Sequence, residues 1–159
     1  MTLVYREMER EQLIEKLGSW SEQIEFENEG QFLNVTVQAS ELHSIASRLR
    51  NEDDFQFDYL FCLTGVDWPT NLEVVYHLES SVHKHQLVLR CKTENRETPN
   101  LDTVCDIWPT AEFHEREVYD LLGLSFNNHP DLRRILLDED WVGYPLRKDY
   151  EDDVNLIVK

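Results

Sequence analysis

The sequence predicts an α+β protein in which a small mixed or antiparallel sheet carries helices on one face. Two observations predict this class: three segments rich in aromatic and β-branched residues follow one another with short polar connections, and amphipathic helical stripes lie before and after them. Two helices before the strands and one after them give a two-layer sandwich. Residues 1–126 form this domain, and residues 127–159 form an extended arm.

The first elements are a helix and a hairpin. Apolar residues recur at helical spacing within residues 6–17, and Gly18 follows as a stop. Residues 24–26 and 32–37 are separated by a polar connection with a glycine, and the second segment alternates with period two. These two segments are predicted to pair as a β-hairpin.

The second helix and a three-stranded meander come next. Ser40 is expected to cap a helix whose apolar residues, within 42–49, follow the i, i+3, i+4, i+7 pattern. The segments 57–66, 72–78 and 86–92 have the composition of strands. Because their connections are short and polar, we expect them to form an antiparallel meander.

The last predicted elements are helical. Residues 101–108 are predicted to form a short helical turn that Pro109 ends. Thr110 is expected to cap a helix over residues 111–122, which stops at Gly123.

The charge balance excludes several classes of partner. The chain of 159 residues carries 32 acidic and 15 basic residues, which gives a net charge of −17. Such a field repels phosphate backbones and anionic lipid, so nucleic-acid binding and polybasic membrane anchoring are disfavoured. The first ten residues have no apolar core of a signal peptide, and no stretch approaches 18 apolar residues. We therefore expect membrane contact only through a partner.

Common cofactor sites find no support in the sequence. The five glycines are isolated, so a dinucleotide site or a P-loop is not predicted. Cys62, Cys91 and Cys105 are too widely spaced for a cluster and are interpreted as small core residues in a reduced setting. His83 and His85 are interpreted as part of an exposed hairpin turn rather than as metal ligands.

The charged residues of the predicted third helix favour a structural role. Glu115 and Glu117 lie about 200° apart around a helix, so they cannot flank one substrate as an acid–base pair. Glu112, Arg116 and Asp120 are spaced i, i+4 and i+8, which predicts a solvated stripe of ion pairs.

The arm is irregular but not polar in composition. Residues 127–159 show no sustained period, yet a disordered linker does not carry so many apolar side chains. We predict that the arm lies on another subunit, buries its aromatic residues there and anchors with arginine. Arg133 and Arg134 are placed to fold back towards Glu115, Glu117 or Asp120. The apolar and aromatic residues of the arm are Leu132, Ile135, Leu136, Leu137, Trp141, Val142, Tyr144, Leu146 and Tyr150.

A family resemblance rests on long motifs in the second half of the chain. These are Glu-Arg-Glu-Val-Tyr-Asp-Leu-Leu-Gly-Leu at 115–124, His-Pro-Asp-Leu-Arg-Arg-Ile-Leu-Leu at 129–137, Glu-Asp-Trp at 139–141 and Tyr-Pro-Leu-Arg-Lys-Asp-Tyr at 144–150. Upstream, Leu-Thr-Gly-Val-Asp at 63–67 resembles a central strand of the same family. Together they resemble the C subunit of NADH:quinone oxidoreductase, the bacterial counterpart of the thirty-kilodalton subunit of respiratory complex I.

The resemblance implies an accessory subunit of the peripheral arm, without an active site or redox cofactor of its own. It would support assembly of the quinone-reducing module beside the large, D-like subunit that forms the quinone cavity. NADH, FMN, iron–sulfur clusters and quinone are then expected in partner subunits, on the cytoplasmic side of the cell inner membrane. The matching positions implied as interface residues rather than catalysts are Glu115, Arg116, Glu117, Tyr119, Asp120, His129, Pro130, Asp131, Arg133, Arg134, Trp141, Arg147, Lys148, Asp149 and Tyr150.

Two alternatives remain open at the level of the sequence. One is the equivalent subunit of a membrane-bound hydrogenase or of a ferredoxin- or formate-linked complex, since close relatives of the resembled family serve such complexes and the motifs do not exclude them. The other is a free-standing enzyme or acidic binding module, which predicts a stable monomer with its own ligand.

Overall fold

The computed structural model of the chain describes residues 9–152. The helices among these residues are α1 (Arg10–Gly18), α2 (Leu42–Asn51) and α3 (Ala111–Leu122). The strands are β1 (Glu25–Glu27), β2 (Leu33–Val37), β3 (Tyr59–Asp67), β4 (Leu72–Glu79), β5 (Gln86–Lys92), β6 (Asn100–Asp102) and β7 (Ser125–Asn127). Helix α1 corresponds to the predicted first helix, whose residues 6–8 lie outside the described part of the chain. Within residues 9–152, no helix has the length and apolar character needed to cross a bilayer.

The main sheet has five strands in the order β1-β2-β5-β4-β3. The predicted hairpin and meander are both present as antiparallel pairs. The two units join where β2 pairs in parallel with β5, which makes the sheet mixed. This pairing requires a crossover through α2, as parallel neighbours generally do.

The core lies on one face of this sheet. Every second residue of the central strands points into one cluster with the apolar stripes of all three helices. The predicted α+β sandwich with helices on one face is therefore confirmed. The strand residues in this cluster include Leu33, Val35, Val37, Leu72, Val74, Tyr76, Leu78, Leu87, Leu89 and Cys91. The helical residues include Leu13, Leu17, Ile45, Ala46, Leu49, Val118 and Leu122.

The helical turn predicted for residues 101–108 is wrong in its first part. Asn100–Asp102 is strand β6, which pairs in parallel with β7. Leu101 and Phe126 face each other across this pair, and both are buried. The two strands meet only because the chain returns after α3. Such a long-range pairing produces no periodic pattern in the sequence of residues 100–102, so the strand was not predicted. A turn follows at residues 105–107.

Neither predicted capping side chain caps its helix. Ser40 lies inside a 3-10 turn over Ala39–Glu41 that precedes α2. Thr110 precedes α3, but its hydroxyl is directed to the carbonyl oxygen of Leu60, 3.4 Å away. The 3-10 turn moves the start of α2 away from Ser40, and packing against β3 turns the Thr110 side chain away from the helix.

His83 and His85 do not form an exposed turn. His85 is only 3% exposed, and His83 is half-buried. Their Nε2 atoms lie 2.8 Å from the carbonyl oxygens of Asp53 and Phe55, in the loop after α2. The two histidines thus bind loop carbonyls that no strand or helix satisfies.

Two glycines allow α3 and the following chain to pack closely. A Cβ on Gly65 of β3 would lie 2.4 Å from Leu122 Cδ1, so α3 rests directly on the strand. Gly123 ends α3 with φ +71°, and its N–H donates to the carbonyl of Tyr119 over 2.8 Å. This left-handed turn sends the chain back along the helix.

Candidate interaction site

The described part of the arm, residues 127–152, folds back against the domain along α3 and the end of β3. The contacts come from both sides: buried side chains of α3 hold the backbone of the arm, and side chains of the arm bind carbonyl groups of α3. Contact with another subunit therefore stays a prediction, while anchoring by arginine is present within the chain itself.

Asp120 is the centre of this attachment. Its buried carboxylate accepts N–H bonds from Ile135, Leu136 and Leu137 over 3.0, 2.7 and 2.9 Å. It also accepts a hydrogen bond from Arg134 Nη1 over 2.7 Å. Burial alone raises the pKa of the Asp120 carboxyl, but Arg134 and the three N–H groups outweigh it and lower the pKa overall.

Arg134 connects Asp120 with the next turn of the arm. Its Nη2 donates to the carbonyls of Trp141 and Gly143 over 3.0 and 3.1 Å. Its guanidinium lies 5.3 Å from the centre of the Tyr144 ring. The expectation that Arg134 folds back towards Asp120 is thus realised, and one side chain fixes three parts of the arm.

Arg116 attaches the arm from the side of the helix, because its side chain binds the backbone of the arm. It is 5% exposed, and it donates to the carbonyls of Arg133 and Arg134 over 3.1 and 2.9 Å. The predicted solvated stripe with Glu112 and Asp120 is therefore wrong. The arm covers this face of α3, and its irregular backbone supplies the carbonyl groups that the buried guanidinium needs.

The end of the arm is attached to the C-terminus of α3. A Cβ atom added to Gly123 would lie only 2.4 Å from the Tyr144 ring, so the ring packs directly against the glycine. Tyr119 packs edge-on against the same ring, with centroids 6.5 Å apart. Arg147 Nε donates to the carbonyl of Leu122 over 2.6 Å, which satisfies one of the free carbonyls at the helix end. Tyr144 was not among the predicted interface residues, although it is central here.

A second attachment joins the arm to β3. Asp67 is 6% exposed and accepts the backbone N–H of Lys148 over 2.7 Å. Arg96 binds Asp67 and also lies 2.9 Å from Asp149 Oδ1. Tyr150 packs over Gly143 and donates its hydroxyl to Asp152 over 3.1 Å. Asp67 and Arg96 were missed, because their contacts join segments far apart in the sequence.

Glu115 occupies a different environment at the start of α3. Its carboxyl is fully buried, accepts the N–H of Val104 over 2.8 Å and contacts the Thr103 hydroxyl. Burial raises the pKa of Glu115 to about 7, although the bonds with Thr103 and Val104 lower it and Asp106 raises it further.

His129 brings the beginning of the arm to Glu115. Its side chain is fully buried, and its Nε2 lies 3.8 Å from Glu115 Oε2. Nδ1 accepts the N–H of Asp131 over 3.0 Å, so Nε2 carries the proton and donates to the carbonyl of Glu112 over 2.9 Å.

Among the remaining predicted interface residues, Trp141 is half-buried, whereas Glu117, Pro130, Asp131 and Arg133 are exposed. Glu117 points away from Glu115 into solvent, as the helical spacing predicted. Pro130 is exposed, and so is Arg133, which pairs with the neighbouring Asp131 instead of folding back to α3. The side chains of Glu117, Pro130 and Arg133 take no part in the attachment of the arm, whereas the Asp131 carboxylate lies 3.9 Å from Arg116 Nη1.

Four aliphatic side chains of the arm are exposed. Ile135, Leu136, Val142 and Leu146 are 39%, 62%, 86% and 60% exposed. We call these four residues the outer row. The aromatic residues of the arm, by contrast, are half-buried against the domain. The arm thus turns its aromatic side chains and Arg134 inward and leaves four aliphatic side chains exposed, beside exposed charged residues such as Arg133 and Lys148.

A cavity of about 550 Å³ opens beside Glu115. It lies between α2, the 103–106 loop, α3 and the beginning of the arm. Its lining contains three carboxylates and one histidine but no lysine or arginine. The lining residues are His43, Asp102, Thr103, Cys105, Asp106, Glu112, Asn128 and Pro130.

Two solved structures share this fold. One is the trypsin-resistant fragment of Nqo5, with a TM-score of 0.67, 29% identity, and coverage of 79% of this chain and 100% of that one. The other is a chain of the membrane-bound sulfane sulfur reductase, an archaeal respiratory membrane complex, with a TM-score of 0.74, 25% identity, and coverage of 89% and 85%. The same fold therefore occurs in a chain of a respiratory membrane complex.

The sequence comparison defines the family. The profile described as "Respiratory-chain NADH dehydrogenase, 30 Kd subunit" matches residues 35–154, and the chain belongs to this family. The NADH-quinone oxidoreductase C/D subunit of Phocaeicola vulgatus is 48% identical over 122 residues, or 76% of this chain. The NADH-quinone oxidoreductase C subunit of Chlorobium phaeobacteroides is 45% identical over 112 residues, or 67% of this chain. The resemblance identified from the motifs is thereby confirmed.

The relatives differ in length. The chain spans 23% of the Phocaeicola protein and 66% of the Chlorobium protein. Its similarity to the first protein is therefore similarity to one part of a longer polypeptide.

Proposed function

We propose that the chain is an accessory, cofactor-free subunit of the peripheral arm of a proton-translocating NADH:quinone oxidoreductase, where it supports assembly of the quinone-reducing module. The observation that carries this proposal is the outer row on the arm. Membership of the family supplies the context, since the family description and the related proteins are named as subunits of this oxidoreductase.

The outer row has the properties of a preformed protein-binding surface. Its side chains lie on an irregular backbone that Asp120, Arg116 and Arg134 fix from the inner side. A segment that is already ordered loses little conformational entropy on binding, so aliphatic side chains on it contribute more fully to affinity. The exposed aliphatic groups themselves favour association because binding removes them from water.

The partner that we propose is the large, D-like subunit of the quinone cavity. Support comes from the relatives named as C/D subunits, in which a sequence similar to this chain forms about a quarter of one longer polypeptide. Fusion in one chain favours proximity of the two parts in the assembly. Other peripheral-arm subunits complete the hetero-oligomer in this proposal.

Ten of the fifteen predicted interface residues then fall into two groups. Glu115, Arg116, Asp120 and Arg134 shape the arm from within and act on the partner only through its conformation. The exposed residues are available for direct contact; they are Glu117, Pro130, Asp131, Arg133, Lys148 and Asp149.

The location and the cofactors follow from the same proposal. The subunit lies on the cytoplasmic side of the cell inner membrane and is held there by its partners. NADH, FMN, iron–sulfur clusters and quinone belong to those partners, which agrees with the isolated glycines and widely spaced cysteines of this chain.

A second candidate is supported by one observation. The chain from the sulfane sulfur reductase has the higher TM-score of the two solved structures, 0.74 against 0.67. The equivalent place in a related membrane-bound complex, with a hydrogenase or a ferredoxin- or formate-linked input, uses the same outer row. Purification of the complex from the native host separates the two, because flavin and NADH oxidation identify the first and a nickel–iron or ferredoxin-linked module the second.

The test of the proposed function is the double substitution Leu136→Asp and Val142→Asp. Both side chains are exposed, so the free subunit should keep its stability to within about 0.5 kcal/mol. Buried carboxylates at an apolar interface are strongly unfavourable, so we expect at least a tenfold loss of co-purified large subunit.

The matched control is Tyr59→Asp, since Tyr59 is 55% exposed and lies on β3, outside the arm. We expect this variant to retain its partner. Equal recovery of the large subunit with the arm variant and with the wild type would refute the proposed role of the outer row.

A further inference from the structure

Three side chains with different metal-binding atoms converge beside the cavity. Cys105, Glu115 and His129 each offer one ligand atom, and these three atoms lie within 4.8 Å of one another. Two of the side chains, Glu115 and His129, are fully buried. Among residues 9–152 this is the one group of three or more potential ligands with this geometry. The three residues come from a loop, a helix and the arm, so the convergence is produced by the fold rather than by local sequence.

The cavity gives a cation access to this group. Cys105 belongs both to the group and to the cavity lining, so the group adjoins the open space. Asp102, Asp106 and Glu112 surround the same space without a basic residue among the lining side chains. Their negative potential attracts a cation into the cavity and towards the three potential ligands.

The chemistry of the three atoms points to zinc. A thiolate, an imidazole and a carboxylate form a mixed set that Zn²⁺ accepts, whereas Mg²⁺ and Ca²⁺ prefer oxygen ligands alone. Two light-atom ligands of a tetrahedral zinc ion lie about 3.4 Å apart. The distance from Glu115 Oε2 to His129 Nε2 is 3.8 Å, which a small side-chain movement closes.

Zinc binding must replace existing hydrogen bonds. The Nε2 atom of His129 would give up its proton and its bond to the carbonyl of Glu112. With the imidazole proton moved to Nδ1, the bond that Nδ1 now accepts from the Asp131 N–H would also break, and that N–H would turn to solvent. Glu115 would release part of its contact with Thr103. The strength of zinc coordination by a preformed set of ligands exceeds the net contribution of these hydrogen bonds.

We propose that Cys105, Glu115 and His129 bind one Zn²⁺ ion, with the fourth position open to the cavity. The ion joins the 103–106 loop, α3 and the beginning of the arm. It acts as a structural link and stabilises the return of the chain along the helix. This inference does not depend on the proposed assembly function.

The test uses Co²⁺ as a spectroscopic probe for zinc in the purified, chelator-treated full chain. We expect one Co²⁺ per chain, with an intense thiolate-to-cobalt charge-transfer band that Zn²⁺ abolishes by competition. Cys105→Ser should remove this band and weaken Co²⁺ binding at least tenfold. Cys62→Ser is the matched control, because Cys62 is also a half-buried free cysteine but lies on β3, and it should retain the band.

A second pair of variants separates the proposed site from the acidic lining. Asp106→Asn with Glu112→Gln removes two carboxylates of the cavity and leaves the three ligands intact. We expect this variant to keep the charge-transfer band at saturating Co²⁺. The proposal is overturned if Co²⁺ gives no such band, if the band persists in Cys105→Ser, or if only the double variant loses metal binding.

Discussion

The two ends of α3 each bury a carboxyl group, but their surroundings are opposite. Glu115 near the start and Asp120 near the end are both fully inaccessible to solvent. The pKa of Glu115 is raised to about 7, whereas that of Asp120 is lowered. Asp120 has Arg134 and three backbone N–H groups, while Glu115 has one N–H, one hydroxyl and a neutral imidazole nearby. Burial alone therefore does not decide the charge of a buried acid; its partners do.

Because the surroundings of Glu115 and Asp120 differ, the arm is attached to the two ends of α3 by different interactions. At the Asp120 end the arm is held by an ion pair and charge-assisted hydrogen bonds, which require an ionised carboxylate. At the Glu115 end the contacts are compatible with a neutral carboxyl group. The two ends should therefore respond differently to substitution and in opposite directions to pH.

The largest effect is expected from Asp120→Asn. The substitution leaves the Arg134 guanidinium, which is 11% exposed, without its counter-charge. Breaking a buried pair in this way costs roughly 3–5 kcal/mol of unfolding free energy. Urea unfolding at pH 7 measures the loss, and Glu117→Gln, on the exposed face of the same helix, should change stability by less than about 0.5 kcal/mol.

A second variant separates the ion pair from general disruption of the helix. Combining Asp120→Asn with Arg134→Leu removes both charges, so part of the lost stability should return. A loss below about 1 kcal/mol for the single variant would contradict the central role of Asp120.

An intermediate effect is expected from Glu115, and it appears as pH dependence of the metal-free protein. Its pKa is about 7 in the folded state against 4.5 as the ordinary value, so the folded protein binds the extra proton between these values. Stability should fall as pH rises from about 4.5 to 7, by about 3 kcal/mol in total, and then stay level. Asp120 has the opposite sign, since its contribution is present above its ordinary pKa and is lost as pH falls below it.

Glu115→Gln isolates the contribution of Glu115. The amide keeps a neutral group that accepts from Val104 and reaches Thr103, so this part of the pH dependence should disappear. We expect the variant to gain stability at pH 8 relative to the wild type and to differ little at pH 5. An unchanged difference between pH 5 and pH 8 would show that Glu115 is ionised in the folded chain.

The sequence predicted the helices and the main strands well because their patterns are local. The apolar spacing of α2 and the alternation of β2 each record which face of the element is buried. The same spacing also placed Glu115 and Glu117 on different faces of α3, as the structure has them. These predictions required no knowledge of how distant segments meet.

The candidate site was predicted less completely because its burial is not local. Arg116 and Asp120 have the spacing of a solvated stripe, and only the return of the arm removes them from water. Asp67, Arg96 and Tyr144 take part through contacts between distant segments, which the pattern of a single element does not contain. The family motifs at 115–150 identified the segment that contains most of these residues. They did not predict which side chains point inward and which point outward, because that depends on the tertiary fold.

The smallest effect is expected at Arg133, although it stands directly before Arg134. The Arg133 side chain is 59% exposed and pairs only with Asp131, which is 47% exposed, so Arg133→Gln should change the stability of the free subunit by less than about 0.5 kcal/mol. Arg134→Gln, by contrast, should cost roughly 3 kcal/mol, because it leaves the buried Asp120 carboxylate without its cation. Urea unfolding of the two variants measures this difference, and recovery of the large subunit provides the second measurement. A stable Arg133→Gln subunit that binds less of the large subunit would place Arg133 in direct contact with the partner, whereas equal losses of stability in both variants would contradict the division between inward and outward residues of the arm.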